Sequence, residues 1–288
     1  MIAVVGPTAS GKSALGVAVA RRIGGTVVNG DPFQALQGLE IGTGQPTEAE
    51  RGGVPHLGYG ALPLSARPNP VTFGALVRDW LMEARNPVLV TGSGLYLRGI
   101  WDQLSDLPDV PEATVAKVRD LDRRIGTRLL HRYLAAVDPA RGEELHPNDS
   151  ARVQRAMALH LATGARPSEL REGRATGAPE GWRALVVAPA REARRARVER
   201  RVAAQFEAGW AGEVARLLEA GHETDLRALR PLGYEAVLEG SPRERIVQET
   251  QAYAKRQATW FRHQLKEAPA WDPDAESVEA AFAKLEIS

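Results

Sequence analysis

The sequence predicts an α/β protein, in which a parallel sheet flanked by helices carries an all-helical insertion. Three observations support this prediction. Short apolar runs alternate with helical patterns up to residue 108, helical patterns without a convincing strand follow from 109 to 181, and one further apolar run stands at 184–187. Alternating strands and helices are typical of a parallel sheet with crossover helices. We therefore divide the chain into a core (1–108), a helical insertion (109–181) and a continuation of the core (182–288).

Each element is predicted from its hydrophobic pattern. Short apolar or β-branched runs predict strands at 2–5, 26–29, 87–91 and 184–187. Amphipathic patterns predict core helices at 12–23 and 73–84, insertion helices at 112–126, 128–137 and 151–162, and later helices at 191–208, 211–220 and 243–266. A strand that returns after a helical block indicates an insertion into the α/β core.

Composition excludes several classes of protein. The 288 residues are 43% hydrophobic and 25% charged, which is enough for a packed core and unlike a disordered chain. The absence of cysteine excludes a disulfide scaffold, a cysteine nucleophile, an iron–sulfur cluster and a thiolate zinc site. No apolar run approaches the roughly 20 residues that cross a bilayer, and the first residues lack the charged start of a signal peptide. We expect a cytoplasmic monomer without a membrane partner.

Charge is unevenly distributed along the chain, although the formal net charge is only +1. Residues 191–201 hold six arginines and two glutamates, whereas the C-terminal residues 264–288 are acidic. A basic patch combined with an acidic tail is compatible with an anionic partner on one face.

A phosphate-binding loop is predicted directly after the first strand. The pattern G-x-x-x-x-G-K-[ST] is matched by Gly6, Pro7, Thr8, Ala9, Ser10, Gly11, Lys12 and Ser13. The loop follows a strand and opens a helix, which is the context that this motif requires. Backbone N–H groups and the helix N-terminus attract phosphate, Lys12 can reach the terminal phosphoryl oxygens, and the Ser13 hydroxyl can ligate Mg²⁺. These features predict a P-loop NTPase-like core that binds a diphosphate or triphosphate.

A second carboxylate is absent from the position where phosphoryl transfer needs it. The strand at 87–91 is followed by glycines and Ser93, whereas Asp31 follows the strand at 26–29. Open α/β sheets bind ligands at the carboxyl ends of their strands. A turn or helix-cap aspartate before Pro32 is the alternative interpretation, and position alone leaves both open.

Seven further segments, in order along the chain, resemble the tRNA dimethylallyltransferase family, also called tRNA isopentenyltransferase. Besides the phosphate loop, 30–34 and 38–46 resemble D-S-x-Q-V-Y…G-x-D-I-G-T-A-K-P, and 54–57 resemble V-P-H-H-L. Residues 92–98 resemble G-T-G-L-Y with a basic residue, and 146–155 resemble H-P-N-D-x-x-R-x-x-R. Residues 232–235 and 253–260 resemble I-G-Y and Y-A-K-R-Q-x-T-W.

This resemblance implies a reaction. A dimethylallyl group would pass from dimethylallyl diphosphate to N6 of adenosine 37, in tRNAs that read codons beginning with U, with Mg²⁺ assisting. The phosphate loop would then hold a leaving diphosphate, whose growing charge Lys12 stabilises. Asp31 matches the family's general base, and Ser93 stands where the family usually has threonine. We take Asp31, Ser93 and Lys12 as the catalytic candidates.

The resemblance also implies contacts with both substrates. Arg197 and Arg201 match the arginines that reach the diphosphate, although a solvated basic helix face is the alternative. Contacts with the anticodon stem-loop are expected from Asp31, Pro32, Phe33, Gln34 and Ser93 near the base, and from Ala151, Arg152, Val153, Gln154 and Arg155 on an insertion helix. A surface ion pair with Asp149 or Glu169 is the alternative for Arg152 and Arg155.

Departures from the family pattern concentrate near the acceptor base. Pro32 replaces a serine, Ala35 and Leu36 replace the V-Y pair, and Gln45 replaces a lysine. Three other functions therefore stay open: a P-loop small-molecule kinase, a prenyltransferase acting on free AMP, and a tRNA-binding relative without catalysis.

Overall fold

The computed structural model describes residues 1–104, 107–170 and 177–287. Of these, 1–103 and 177–287 form a core unit, and 104 with 107–170 form a helical unit. Residues 171–176 of the predicted insertion, like 105, 106 and 288, lie outside the described residues. Residues 177–181 belong to the core unit rather than to the insertion, because Gly177 donates to the carbonyl of Gln264 and accepts from the Gln103 side chain.

One parallel sheet of six strands organises the core unit. Its strands are β1 (Ile2–Val5), β2 (Thr26–Asn29), β3 (His56–Leu57), β4 (Pro87–Thr91), β5 (Arg183–Val187) and β6 (Ala270–Trp271). They lie in the order β3-β2-β4-β1-β5-β6, with every neighbouring pair parallel. The predicted α/β fold class is confirmed. The carboxyl ends of β1, β2 and β4 therefore meet at one edge of the sheet.

Helices surround this sheet and build the second unit. The first part of the core unit contains α1 (Lys12–Ile23), α2 (Glu40–Thr43), α3 (Glu48–Arg51), α4 (Pro70–Glu83) and α5 (Gly94–Ile100). Its second part, which follows the helical unit along the chain, contains α10 (Arg191–Glu207), α11 (Trp210–Glu219), α12 (Glu223–Leu229), α13 (Tyr234–Leu238), α14 (Arg243–Gln264) and α15 (Val278–Lys284). The helical unit contains α6 (Glu112–Ile125), α7 (Thr127–Val137), α8 (Pro139–Glu144) and α9 (Ser150–Thr163). None of these helices, within the described residues, combines the length and apolar character that crossing a membrane requires.

Separate apolar clusters stabilise the two units. In the core unit, α1 and α15 cover one face of the sheet, while α4, α5 and α14 cover the other. A third cluster joins α10, α11 and α13 to the segment after β2, with Trp210 and Tyr234 as its largest side chains. The helical unit has its own core, which includes Leu130, Leu134 and Val153. Each unit thus buries enough apolar surface to favour its own packing.

Helices α4 and α5 pack closely through glycine. A Cβ at Gly99 would lie 1.8 Å from the carbonyl oxygen of Pro70. We expect Gly99→Ala to lower the free energy of unfolding by about 1–3 kcal/mol or more, because the two helices would have to separate. Urea denaturation measures this change. Gly212→Ala in α11 is the control, because its Cβ would meet only Arg216 Nη1 at 3.5 Å. An unchanged midpoint for Gly99→Ala would contradict the close approach.

Candidate active site

The phosphate loop leads from β1 into α1 and lies against neighbouring strands. Gly11 precedes α1 with φ of 95°, a left-handed conformation that favours glycine. A Cβ at Gly6 would lie 2.6 Å from the carbonyl oxygen of Val187. Ser10 is fully buried, Ser13 is exposed in the first turn of α1, and Lys12 Nζ donates to the carbonyl oxygen of Pro7 at 3.3 Å. The loop therefore packs against the carboxyl edge of the sheet and leads into the N-terminus of α1.

Gln257 of α14 joins the phosphate loop to the turn after β4. Its Oε1 accepts the N–H of Thr8 at 2.8 Å, and its Nε2 donates to the carbonyl of Gly92 at 2.7 Å. Gln257 is not among the predicted site residues, although it lies within the segment 253–260 that resembles the family. Its amide fixes the loop relative to β4.

A cavity of about 290 Å³ adjoins the phosphate loop. It brings together six of the predicted site residues: Thr8, Lys12, Asp31, Phe33, Gln34 and Arg201. The remaining lining consists of residues from the segment after β2 and from later helices and loops: Gly42, Thr43, Gln205, Trp210, Arg230, Leu232, Thr250, Tyr253, Arg256 and Gln257. Aromatic and apolar groups thus share the cavity with one carboxylate and four cationic side chains.

Asp31 is held by its own turn while it lines the cavity. Its N–H donates to Asn29 Oδ1 at 2.8 Å, and its Oδ1 accepts the N–H of Phe33 at 3.0 Å. Asn29 is fully buried and also donates to the carbonyl oxygens of Asp31 and Gly58. The Asp31 carboxyl group therefore stabilises a turn, as the alternative interpretation predicted, and it also lines the cavity.

Burial and opposite charges set the ionisation of this cavity. Burial raises the pKa of the Asp31 carboxyl above its ordinary value, while Lys12, the N–H groups of Phe33 and Gln34, and Arg201 oppose that rise. Burial lowers the pKa of Lys12 to about 8; Arg201 adds to this, and Asp31 opposes it. A carboxylate with a raised pKa is a stronger base than an exposed one.

Side chains from α10 and α11 fix the cavity wall at Gly42. Glu213 is 2% exposed and accepts the N–H groups of Ile41 at 2.6 Å and Gly42 at 3.1 Å. It also accepts the Tyr234 hydroxyl at 2.6 Å. A Cβ at Gly42 would lie 2.2 Å from Trp210 Nε1, so no larger residue fits. Nothing in the sequence pattern pointed to Glu213, because its partners lie far away along the chain.

Removing the charge of Glu213 is expected to destabilise the wall. Glu213→Gln would turn an NH₂ group toward a backbone N–H, so we expect the free energy of unfolding to fall by about 1–3 kcal/mol. Urea denaturation measures it, and the exposed Glu219→Gln on the same helix is the matched control. Equal midpoints for the two variants would contradict the role of Glu213.

Polar groups of Gln34 and Arg201 also bind this wall. Gln34 Nε2 donates to the carbonyl oxygens of Thr43 at 3.0 Å and Gly44 at 2.8 Å. Arg201 donates to the carbonyl oxygen of Thr43 at 2.7 Å. Both residues also line the cavity.

Of the predicted residues beyond the phosphate loop, three in the core unit do not line the cavity, and the loop residues Gly6, Pro7, Ala9, Ser10, Gly11 and Ser13 do not line it either. Pro32 is buried, and Ser93 is half-buried at the start of α5, next to Gly92, where a Cβ would lie 3.3 Å from Lys12 Cε. Arg197 pairs with Asp274 at 2.5 Å, and its Nη1 would lie 3.6 Å from a Cβ at Gly11. Arg197 is therefore beside the phosphate loop rather than in the cavity.

The five predicted residues of the helical unit divide into surface and interior. Ala151, Arg152 and Arg155 are exposed on α9. Val153 is fully buried in the core of that unit, so its side chain is not available to a ligand. Gln154 donates to Asp122 and to Ser150. Arg152 lies 3.5 Å from Asp149, which is the ion pair that the sequence analysis left open.

The donors near the phosphate loop fit a metal that is carried by its substrate. Among the described residues, no group of three or more His, Asp or Glu side chains could hold a metal ion. The exposed Ser13 hydroxyl is the donor that the loop offers. Mg²⁺ usually keeps several waters and binds phosphate oxygens with few protein ligands, so this sparse donor set fits it.

Comparison with known proteins identifies the family. The IPP transferase model matches residues 34–264, and the Isopentenyl transferase model matches residues 1–56. A tRNA dimethylallyltransferase of Rhodospirillum centenum is 40% identical over 95% of this chain and 91% of its own length. The corresponding enzyme of Geobacter sulfurreducens is 35% identical over 91% of this chain and 88% of its own length.

Solved structures share the fold. The full-length tRNA isopentenylpyrophosphate transferase of Bacillus halodurans matches with a TM-score of 0.67 and 28% identity, over 99% of this chain and 96% of that chain. A eukaryotic dimethylallyltransferase acting on tRNA matches in fold, with a TM-score of 0.71 and 22% identity over 98% of this chain and 77% of that chain. The family model over residues 34–264, together with the relatives that are 35% and 40% identical, shows that the chain belongs to the IPP transferase family.

Proposed function

We propose that this chain transfers a dimethylallyl group from dimethylallyl diphosphate to N6 of adenosine 37, in tRNAs that read codons beginning with U, and releases diphosphate. The observation that carries this proposal is the meeting of the phosphate-loop residue Lys12 with Asp31 in one cavity. The names of the relatives support it and do not favour a kinase or an AMP prenyltransferase. A tRNA substrate makes the cytoplasm the proposed compartment.

The phosphate loop would bind the diphosphate as a leaving group. The bond that breaks is the allylic C–O bond, so negative charge grows on the diphosphate as the bond stretches. Lys12, the loop N–H groups and Arg197 of α10, whose Nη1 lies beside Gly11, would stabilise this charge more in the transition state than in the ground state. Mg²⁺, held by Ser13 and the diphosphate oxygens, would supply further charge neutralisation.

Asp31 would act on the acceptor amine. The N6 lone pair is delocalised into the purine, so a carboxylate that accepts its proton raises its nucleophilicity. Phe33 and Gln34 line the same cavity and would contact the target base. Adenosine 37 must leave the stacked anticodon loop for its base to enter the cavity. Ser93 lies one residue from the glycine that approaches Lys12 and would contact the reacting groups. Arg152 and Arg155, exposed on α9, would contact backbone phosphates of the anticodon stem-loop.

One incubation tests this function. The protein, as a monomer by our proposal, is mixed with Mg²⁺, labelled dimethylallyl diphosphate, an anticodon stem-loop with adenosines at 36 to 38, and AMP. We expect label in the stem-loop, lost when the middle adenosine becomes guanosine or when a chelator removes Mg²⁺. Label in AMP alone would overturn the tRNA acceptor. No label in either acceptor, with ATP consumed in a parallel incubation, would support a kinase.

A further inference from the structure

Two neighbouring cavities of the core unit lie between α10 and α14, outside the candidate active site. They measure about 300 Å³ and about 580 Å³. Both are lined by Arg191, Arg194 and Lys255, and we call the two together the α10–α14 groove. The larger cavity extends to Pro7 of the phosphate loop and to the ends of β5 and β6.

The α10–α14 groove concentrates positive charge. Its cationic lining consists of Arg191, Arg194, Arg195, Lys255, Arg262 and Lys266. Within the described part of the chain, no carboxylate lines either cavity, and none of these six side chains forms an ion pair. Glu199 accepts from Gln251, and the exposed Glu192 attracts Arg194, whereas Arg191 and Arg262 repel it. Cations that repel each other in this way would be stabilised by an anionic ligand.

The shape of the α10–α14 groove suits an extended ligand. Its lining residues on α14 extend from Gln248 to Arg262, which at 1.5 Å per residue is about 21 Å. A duplex strand carries a charge about every 3.4 Å of axis, so this length faces several phosphates. The one aromatic side chain among the described lining residues, Phe261, is 1% exposed and offers no surface for base stacking.

We propose that the α10–α14 groove binds the sugar-phosphate backbone of the tRNA substrate and does not read its bases. This inference rests on the proposed function, because it takes tRNA as the substrate. Arginine and lysine side chains contact phosphates independently of sequence and position a nucleic acid for contacts made elsewhere. Here, they would orient the tRNA relative to the cavity that holds Asp31.

Charge reversal tests the groove without requiring catalysis. The triple variant Arg191→Glu, Arg194→Glu, Lys255→Glu is titrated with tRNA whose adenosine 37 is replaced by guanosine, across a range of salt concentrations. We expect the Kd at low salt to rise at least about tenfold and the salt slope to fall by about 2 to 3. The two glutamates in the first turn of α10 favour the helix dipole, and an unchanged Tm shows that the variant is folded.

A matched variant separates local from total charge. Arg85→Glu, Arg216→Glu, Arg243→Glu changes the net charge equally, at exposed arginines outside both cavities. We expect its Kd to stay within about threefold of the original protein. Equal weakening by both triples, or no weakening by the first, overturns the inference. A raised KM for dimethylallyl diphosphate with an unchanged Kd for tRNA also overturns it. If transfer itself is absent, this binding experiment still gives its own answer.

Discussion

Asp31→Asn is expected to lower the single-turnover rate of dimethylallyl transfer to an anticodon stem-loop by about 10²–10⁴-fold. Asparagine keeps an oxygen for the N–H of Phe33, now 3.0 Å from Asp31 Oδ1, so the turn should persist. It cannot accept the proton of the N6 amine. The loss should therefore appear in the rate of the chemical step rather than in the KM for dimethylallyl diphosphate.

The pH dependence of this variant distinguishes a base from a structural residue. Asp31 acts only when it is deprotonated, and its raised pKa means that activity of the original protein is lost as the pH falls through that value. The acidic decline in kcat/KM should disappear in Asp31→Asn. The exposed Asp79→Asn is the control and should retain both the rate and the decline. A single-turnover rate for Asp31→Asn within threefold of the original would refute its role as base.

The fold could be predicted from the sequence where local pattern decides structure. The strands at 2–5, 26–29 and 87–91 match β1, β2 and β4, because each is an apolar run that glycine or proline bounds. Strands β3 and β6 were missed, since two residues carry no periodic pattern and their pairing depends on a neighbour. Helix α5 was also missed, because it begins at Gly94, within a segment that suggests a glycine turn.

The residues of the candidate site likewise divide into those that a local pattern predicts and those whose contacts are distant along the chain. Lys12 could be predicted because it belongs to the G-x-x-x-x-G-K-[ST] motif after β1, and Asp31 because it lies just after β2, at a strand end that is a known ligand position. Glu213 and Gln257 could not, since their contacts with Ile41 and Gly92 span 172 and 165 residues of chain. The burial of the Val153 side chain could not be predicted either, because the motif that includes it does not indicate which side of α9 is buried.

Lys12→Met is expected to lower kcat/KM for dimethylallyl diphosphate by about 10²–10³-fold, the usual effect of removing one donor from a developing negative charge. Lys12 must be protonated to stabilise the diphosphate, and its pKa is lowered to about 8. Activity of the original protein should therefore decline as the pH rises through about 8. This decline in kcat/KM reflects the free enzyme, because kcat/KM reports the pKa values of groups in the unliganded protein.

Lys12→Arg tests whether deprotonation of Lys12 causes the decline in activity near pH 8. Arginine stays charged throughout this pH range, so the decline near pH 8 should vanish. The maximal rate should be lower than that of the original protein, because a guanidinium will not reproduce the position of the Lys12 Nζ. A decline that persists unchanged in Lys12→Arg would assign it to another group, and Lys12 would then act through its shape rather than its charge. Because Asp31 partly restores the pKa of Lys12, Asp31→Asn should move the decline near pH 8 to lower pH. A shift in that direction would show that the two groups interact within one cavity before either substrate binds.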